Sequence, residues 1–454
     1  MKATSCILLA CVASAREIRH EEFAMAYPTA AQGTARLPTH NLVGYWHNFE
    51  NPSGKTFPLS QISKDWDVIN VAFADSLGSG ALGLNIDPSA GSEAQFIADI
   101  AALKASGKIV ALSLGGEKGS VTIKDATEKA NFVNSLYGLI TKYGFDGIDV
   151  DLENGVSIGA PIVQNLIDGI KQLKQLVGPT FYLSMAPEHP YVQGGYGQWG
   201  GLWGSYLAII DALRDDLTQI HVQFYNNNGF TYPDGRYLRE GTVDGLVGGS
   251  LMLLEGFTAQ WGQGFKFNGL RADQVSIGVP SGKSSAGQGF VTEDVILRTL
   301  TCLTKGVGCD TIKPKKLYPD FRGLMSWSIN WDRFDNFPFS KYARRALDLL
   351  NDNVTPTSAP PATSTPAPST PAPSTPAPTT SSTTSTPVTT KAPATPAPTT
   401  LAPATTIQPP ATTTPSGPCG SCTNCYYAPT QACFVGWTAQ QCSSVATFQW
   451  CGAV

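Results

Sequence analysis

Between Phe145 and Asn154 the chain carries four acids, Asp146, Asp149, Asp151 and Glu153, interleaved with Gly147, Ile148, Val150 and Leu152. Successive side chains of a strand face opposite ways, so Asp149, Asp151 and Glu153 share one face and the aliphatic residues share the other. Three carboxylates on one strand face repel one another and resist desolvation, at a cost of roughly several kcal/mol unless some are protonated or hydrogen-bonded. Residues two apart lie about 6.5 Å apart along a strand. Asp149 and Asp151 are therefore near enough to share a proton, and a negative neighbour raises the proton affinity of Glu153, as a general acid requires. Asp146 has the opposite parity and is expected to hydrogen-bond the turn into the strand. The alternatives are a solvated acidic edge strand or a calcium site. A helix-loop-helix calcium loop, however, wants Gly at the middle of a longer Asp/Asn-rich loop and Glu at its twelfth position, and this segment has neither.

Such a strand needs a frame. Short apolar runs recur at Leu42 to Trp46, Val68 to Phe73, Ile109 to Leu114, Ile148 to Leu152, Phe181 to Met185, Ile220 to Phe224, Val275 to Val279 and Leu324 to Ser328. Amphipathic helical stretches lie between most of them. Ser92 to Ala105 opens with a Ser-x-x-Gln capping box and sets Phe96, Ile97, Ile100 and Leu103 on one side. Pro161 to Leu176 starts with Pro in a first turn and aligns Ile162, Leu166, Ile170 and Leu173. Alternating strands and helices predict parallel strands with right-handed crossovers, and eight such units predict an α/β fold of the closed (β/α)8 TIM-barrel type. In that architecture active-site residues come from the C-terminal ends of the strands. Those ends carry Tyr45 and Trp46, then Ser113, Gly115 and Gly116, then the acidic ladder. Met185 and Glu188 follow, then Gln223, Tyr225 and Asn226, and finally Trp327. Carboxylates, a Tyr/Asn pair and aromatic platforms on one rim suit a carbohydrate, whose ring faces stack on aromatic side chains while its hydroxyls need hydrogen-bonding partners.

The 454 residues exceed one domain, yet not all of them can build a core. Residues 1–15, with Lys2, an apolar run from Cys6 to Val12 and Ala13-Ser14-Ala15, read as a secretory signal peptide too short to span a bilayer, the alternative being a short core helix. Residues 38–352 have the size of a single barrel. Residues 355–416 are almost entirely Pro, Thr, Ala and Ser and are expected to form a disordered, O-glycosylated linker. Asn353-Val354-Thr355 is a glycosylation sequon weakened by Pro356. Residues 417–454 hold Cys419, Cys422, Cys425, Cys433, Cys442 and Cys451, a disulfide framework in an oxidising compartment. Cys419-x-x-Cys422-x-x-Cys425 has zinc-like spacing, but the tail has no His. Tyr426, Tyr427, Trp437, Phe448 and Trp450 are more aromatics than so small a knot can hide, which suggests a stacking surface for carbohydrate. A cell-wall or partner-binding knot is the other reading. A net charge of −4 provides no basic stripe for nucleic acid. The chain is thus expected to be a secreted or cell-wall-associated monomer without nucleic-acid or membrane partners. His47, His189 and His221 lack metal spacing and are expected to pack or line the rim, so neither metal nor cofactor is expected.

From Asn41 to Leu350 the sequence resembles glycoside hydrolase family 18, the chitinases and their relatives. Asp146-x-x-Asp149-x-Asp151-x-Glu153 is similar to that family's signature, and Ser113-Leu114-Gly115-Gly116 to its strand-three motif. Met185-Ala186-Pro187-Glu188, Gln223-Phe224-Tyr225-Asn226 and Trp327 resemble its later strand ends, in the same order. The resemblance implies hydrolysis of chitin or chitooligosaccharides by substrate-assisted retention, an exception to the two-carboxylate scheme. It casts Glu153 as the acid and Asp151 as the partner of the substrate's acetamide N–H. Tyr225, with Asn226, would orient the acetamide carbonyl, Trp327 would floor the subsite, and Tyr45, Met185 and Gln223 would line it. Met185, Gln223 and Trp327 suit core packing nearly as well, and Ser113, Gly115 and Gly116 could serve only to let the chain leave its strand tightly. Glu188 is the one candidate for a separate nucleophile. Some relatives insert a domain between strands seven and eight; the segment from Val279 to Leu324 is too short for one, which predicts an open groove and endo cleavage. The rivals are a non-catalytic chitin lectin, against which retention of Glu153 and Asp151 argues, and an endo-β-N-acetylglucosaminidase acting on N-glycans.

Overall fold

A computed structural model of the chain describes residues 37–197, 201–259 and 265–351, and toward the C-terminus 419, 422–423, 425–427, 432–434, 439, 442 and 448–452. The expected signal peptide, linker, glycosylation sequon and Trp437 lie outside the described residues. Contacts divide the chain into two units, Met1–Thr363 and Ser364–Val454.

In the first unit the eight apolar runs become strands β1 (Asn41–His47), β2 (Val68–Gly78), β3 (Ile109–Gly115), β4 (Gly147–Asp151), β5 (Tyr182–Met185), β6 (Gln219–Gln223), β7 (Val275–Pro280) and β8 (Gly323–Trp327). Each pairs in parallel with its neighbour, and β8 returns to β1 with Asn41 opposite Gly323, so the sheet closes. Closure leaves the β4 carboxylates no sheet edge from which to reach solvent sideways. Their face is the barrel interior.

Helices pack outside. Helix α1 (Glu93–Ala105) is capped by Ser92, whose Oγ accepts from Gln95 N at 3.2 Å. The reciprocal half of the expected capping box is replaced, because the Gln95 amide donates instead to Asp99 at 2.6 Å. Phe96, Ile100 and Leu103 of α1 are buried as the periodicity requires, while Ile97 is only partly covered. Helix α2 (Ala126–Tyr143) ends on Gly144 in the left-handed conformation (φ 77°), and α3 (Pro161–Val177) buries Ile162, Leu166, Ile170 and Leu173. Helices α4 (Leu207–Ala212), α5 (Val243–Glu255), α6 (Glu293–Lys305) and α7 (Pro338–Asn351) complete the ring. A disulfide between Cys302 and Cys309 ties α6 to the loop that follows it. β2 runs past the barrel rim into a hairpin with residues Ala81–Gly83, and this hairpin raises one wall above the strand ends.

In the second unit three short antiparallel strands, Cys425–Tyr427, Ala432–Phe434 and Phe448–Trp450, form a small sheet. Cys419 is bonded to Cys451, and Cys422 and Cys442 are also in disulfides, so two of the three cysteines with zinc-like spacing are not thiolates. Among the described residues no helix is long and apolar enough to cross a membrane, and no cluster of three His, Cys, Asp or Glu is placed to hold a metal ion.

Candidate active site

The acidic ladder resolves into three carboxyl groups with different environments. Asp149 is wholly buried and sits in register between Ser113 of β3 and Ser184 of β5. Its Oδ2 accepts from Tyr45 Oη (2.6 Å) and Ser113 Oγ (2.7 Å), and its Oδ1 from Ser184 Oγ (2.6 Å); His221 Nε2 lies 3.3 Å from Oδ1. Burial alone would favour the neutral acid, but the nearby His221 ring and the hydroxyl donors of Ser184 and Tyr45 together outweigh it and hold Asp149 below its ordinary range. The bottom of the ladder is a fixed negative charge.

Asp151, 3% exposed, has few such donors. Burial first, then the charges of Glu153, Asp149 and Glu188, push its carboxyl well above the usual range. Glu153 follows the end of β4 and is less enclosed; burial lifts it to about 7, against the hydrogen bonds from Gln223 and Asp151. One amide couples the two: Gln223 Nε2 donates to Asp151 Oδ1 at 2.9 Å and to Glu153 Oε1 at 3.0 Å. The pair therefore retains a proton at neutral pH, beside a carboxylate that does not. Tyr225 is buried near them, and burial followed by the charges of Asp151 and Glu153 keeps its phenol protonated, hence a donor.

Above these groups opens a cleft of about 820 Å³ lined by Asp151, Glu153, Glu188, Gln223, Tyr225 and Trp327, with Tyr45 and Asn226 also on its wall. Trp327 packs against Tyr45 (ring centroids 5.6 Å apart) and His47 (4.4 Å), and stacks with Phe73 at 5.8 Å and 18°. His47 is buried, which lowers it to about 3 and keeps the imidazole neutral.

Most residues singled out from sequence meet here. Met185 does not: it is wholly buried in the outer core and lies off the cleft wall, because its parity on β5 is opposite to that of Ser184. Asp146 accepts from Val110 N of β3 at 2.9 Å and pairs with Lys104 of α1 at 3.0 Å, so it ties its neighbours to β4 instead of closing its own turn. Gly115 (φ 104°) and Gly116 (φ 77°) turn β3 over the end of β4, where Gly116 N donates to Asp151 O at 2.7 Å. Glu188 stands on the cleft wall with Asn227 Nδ2 donating to its Oε1 at 2.7 Å.

Sequence reasoning missed four supports. Ser184 could have been found only from the β4–β5 register. Phe73 ends the second apolar run and was open to detection as a strand-end aromatic. Tyr206 Oη donates to Leu152 O at 3.0 Å and accepts from Leu152 N at 2.9 Å, while Tyr191 Oη donates to Glu153 O. Tyr191 ends a single 3-10 turn, His189–Tyr191, and Tyr206 immediately precedes α4, elements too short to carry a periodic signal.

Comparison with known proteins gives a consistent picture. Residues 41–263 match the family model described as glycosyl hydrolases family 18. The chain is 42% identical over 328 residues to Chitinase Chi52 of Paenibacillus xylanexedens, covering 69% of this chain and 62% of that protein. It is 40% identical over 316 residues to a probable class II chitinase of Arthroderma benhamiae, covering 64% of this chain and 94% of that protein. Among solved structures, a family GH18 chitinase from Chromobacterium violaceum shares 59% identity, with a TM-score of 0.68 over 71% of this chain and 87% of the other. The chain spans a little under two thirds of the length of the curated relatives it matches first, 62% and 63% of two of them.

Proposed function

From the premise that the chain belongs to glycosyl hydrolase family 18, we propose that it is a secreted chitinase that cleaves β-1,4 bonds between N-acetylglucosamine units within the polymer. The observation that carries the reading is the Asp151–Glu153 pair, bridged by Gln223 and holding a proton at the base of an aromatic-floored cleft. Glu153 gives its proton to the glycosidic oxygen as that bond breaks. The substrate's 2-acetamido carbonyl oxygen closes on the anomeric carbon, and the resulting oxazolinium ion is opened by water, which loses a proton to the Glu153 carboxylate. Two inversions at one carbon leave net retention. Asp151 accepts from the acetamide N–H and stabilises the positive charge, and the Tyr225 phenol, with Asn226 beside it, donates to the carbonyl. Asp149, held ionised, supplies negative charge beneath them, while Trp327 stacks against the sugar ring.

Endo cleavage is supported by the segment between β7 and β8, which holds helix α6 and its disulfide loop and no inserted domain. Secretion is supported by the disulfides of both units. Residues 417–454 would act as a carbohydrate-binding module that keeps the enzyme at an insoluble surface.

Real-time proton NMR of a soluble N-acetylglucosamine hexamer tests the reading. The expected result is early β-anomeric products of several lengths, absent with Glu153→Gln. Early α-anomers would refute retention, release of disaccharide alone from one end would refute endo action, and binding without cleavage would leave a lectin.

A further inference from the structure

Beside the cleft, and outside the machinery just described, His189 and Glu240 form a buried pair. His189 Nε2 lies 2.9 Å from Glu240 Oε1, and the two side chains are 1% and 2% exposed. Since a carboxylate only accepts, Nε2 carries the proton. The imidazole is stacked on Phe224 (6.2 Å, 17°) and packed on Phe230 (5.3 Å), so it has one orientation. His189 Nδ1 and Glu240 Oε2 have no hydrogen-bond partner. A buried pair left half satisfied is a poor source of stability compared with apolar packing, which makes position the better account of its presence.

What it positions is the exit from β6. Glu240 Oε1 also accepts from Asn227 N at 2.9 Å, the Asn227 amide reaches Glu188 Oε1 (2.7 Å) and Tyr225 O (3.2 Å), and Asn226 and Asn228 on either side have φ of 64° and 66°. Left-handed non-glycine residues on both sides of Asn227 need a neighbour that holds them there. From the opposite side Gly287 N donates to Asn226 Oδ1 at 2.8 Å. We infer that His189 and Glu240 are positioning residues that hold the Tyr225–Asn228 turn through Asn227, and with it the Tyr225 phenol and the Glu188 carboxylate that face the cleft. The inference rests on the chitinase reading for its kinetic consequence, but not for its conformational one.

The experiment compares wild type, Glu240→Ala and Glu240→Gln by hexamer kinetics and by hydrogen exchange. Gln keeps the acceptor for His189 Nε2 and Asn227 N; Ala removes it. Glu240→Ala should release exchange protection in the segment 224–230 alone and lower kcat at least about tenfold, since misplacement near one ångström costs up to about a hundredfold. KM should stay within about threefold, and Glu240→Gln should recover most of the loss. Unchanged protection at 224–230, or a released turn with unchanged kcat, would overturn the inference. So would protection lost across the whole barrel in proportion to activity. If wild type itself fails to cleave the hexamer, the chitinase reading falls, and the exchange data still decide whether the pair holds the turn.

Discussion

Glu153 should make both activity and its own contribution to stability fall as pH rises. Its carboxyl is raised by burial to about 7, so the acid form needed for proton donation is lost as pH rises through that value, and kcat/KM should fall on its basic limb there. Gln223 donates to the charged form of both Asp151 and Glu153. Replacing it in Gln223→Leu should move the basic limb upward while lowering kcat, measurable as a full pH–rate profile. The linkage has a definite sign. A folded-state value above the unfolded one means that Glu153 contributes stability below its ordinary value near 4.5 and loses it as pH climbs toward 7. Glu153→Gln should therefore match wild type in thermal stability near pH 4 and exceed it near pH 8, by on the order of 2–3 kcal/mol. An equal offset at both pH values would show that packing, not ionisation, separates the two proteins.

Among the elements, the exit of β3 leaves little room for substitution beside the candidate acids. A Cβ at Gly115 would lie 2.3 Å from Asp151 O, and the φ of 104° is itself hostile to any side chain. Gly115→Ala must push back the strand end that carries Asp151 and should cost about 2–4 kcal/mol of stability, with a large loss of kcat. Calorimetry and hexamer kinetics on one preparation would check both; loss of stability with intact turnover would separate the β3 exit from the chemistry. Tyr206 and Tyr191 pin Leu152 and Glu153 just past β4. The strand itself was legible in alternation, and Ser113 in motif order. These clamps were not, because they come from segments with no period and meet β4 only after the barrel closes. Met185 shows the converse: a strand-end position places a residue near the rim, but parity decides whether it faces the cleft.

At the scale of the molecule, the proposed function gives the barrel the cleavage of the bond and residues 417–454 the holding of an insoluble surface. Truncation after residue 352 should leave turnover of the soluble hexamer within about twofold of the full chain. It should lower degradation of insoluble chitin severalfold, since the tether works only through effective concentration. Equal activity on both substrates would argue against a surface-binding tail. Strand alternation, eight apolar runs and the helix caps were enough to determine the barrel, because the period of burial is written in each element separately. The acids, the amide and the tryptophan were likewise legible, since a barrel brings the C-terminal ends of its strands to one rim whatever the loops do. Tertiary structure alone decided the rest. The register set Ser113 and Ser184 around Asp149, closure brought Tyr45 and His221 to the same carboxylate, and Gln223 came to bridge Asp151 and Glu153 across sequence separations of 72 and 70 residues. The protonation of this ladder depends on donors and charges that are neighbours only in space, so no local reading of residues 146–153 could have set Asp149 apart as its ionised member.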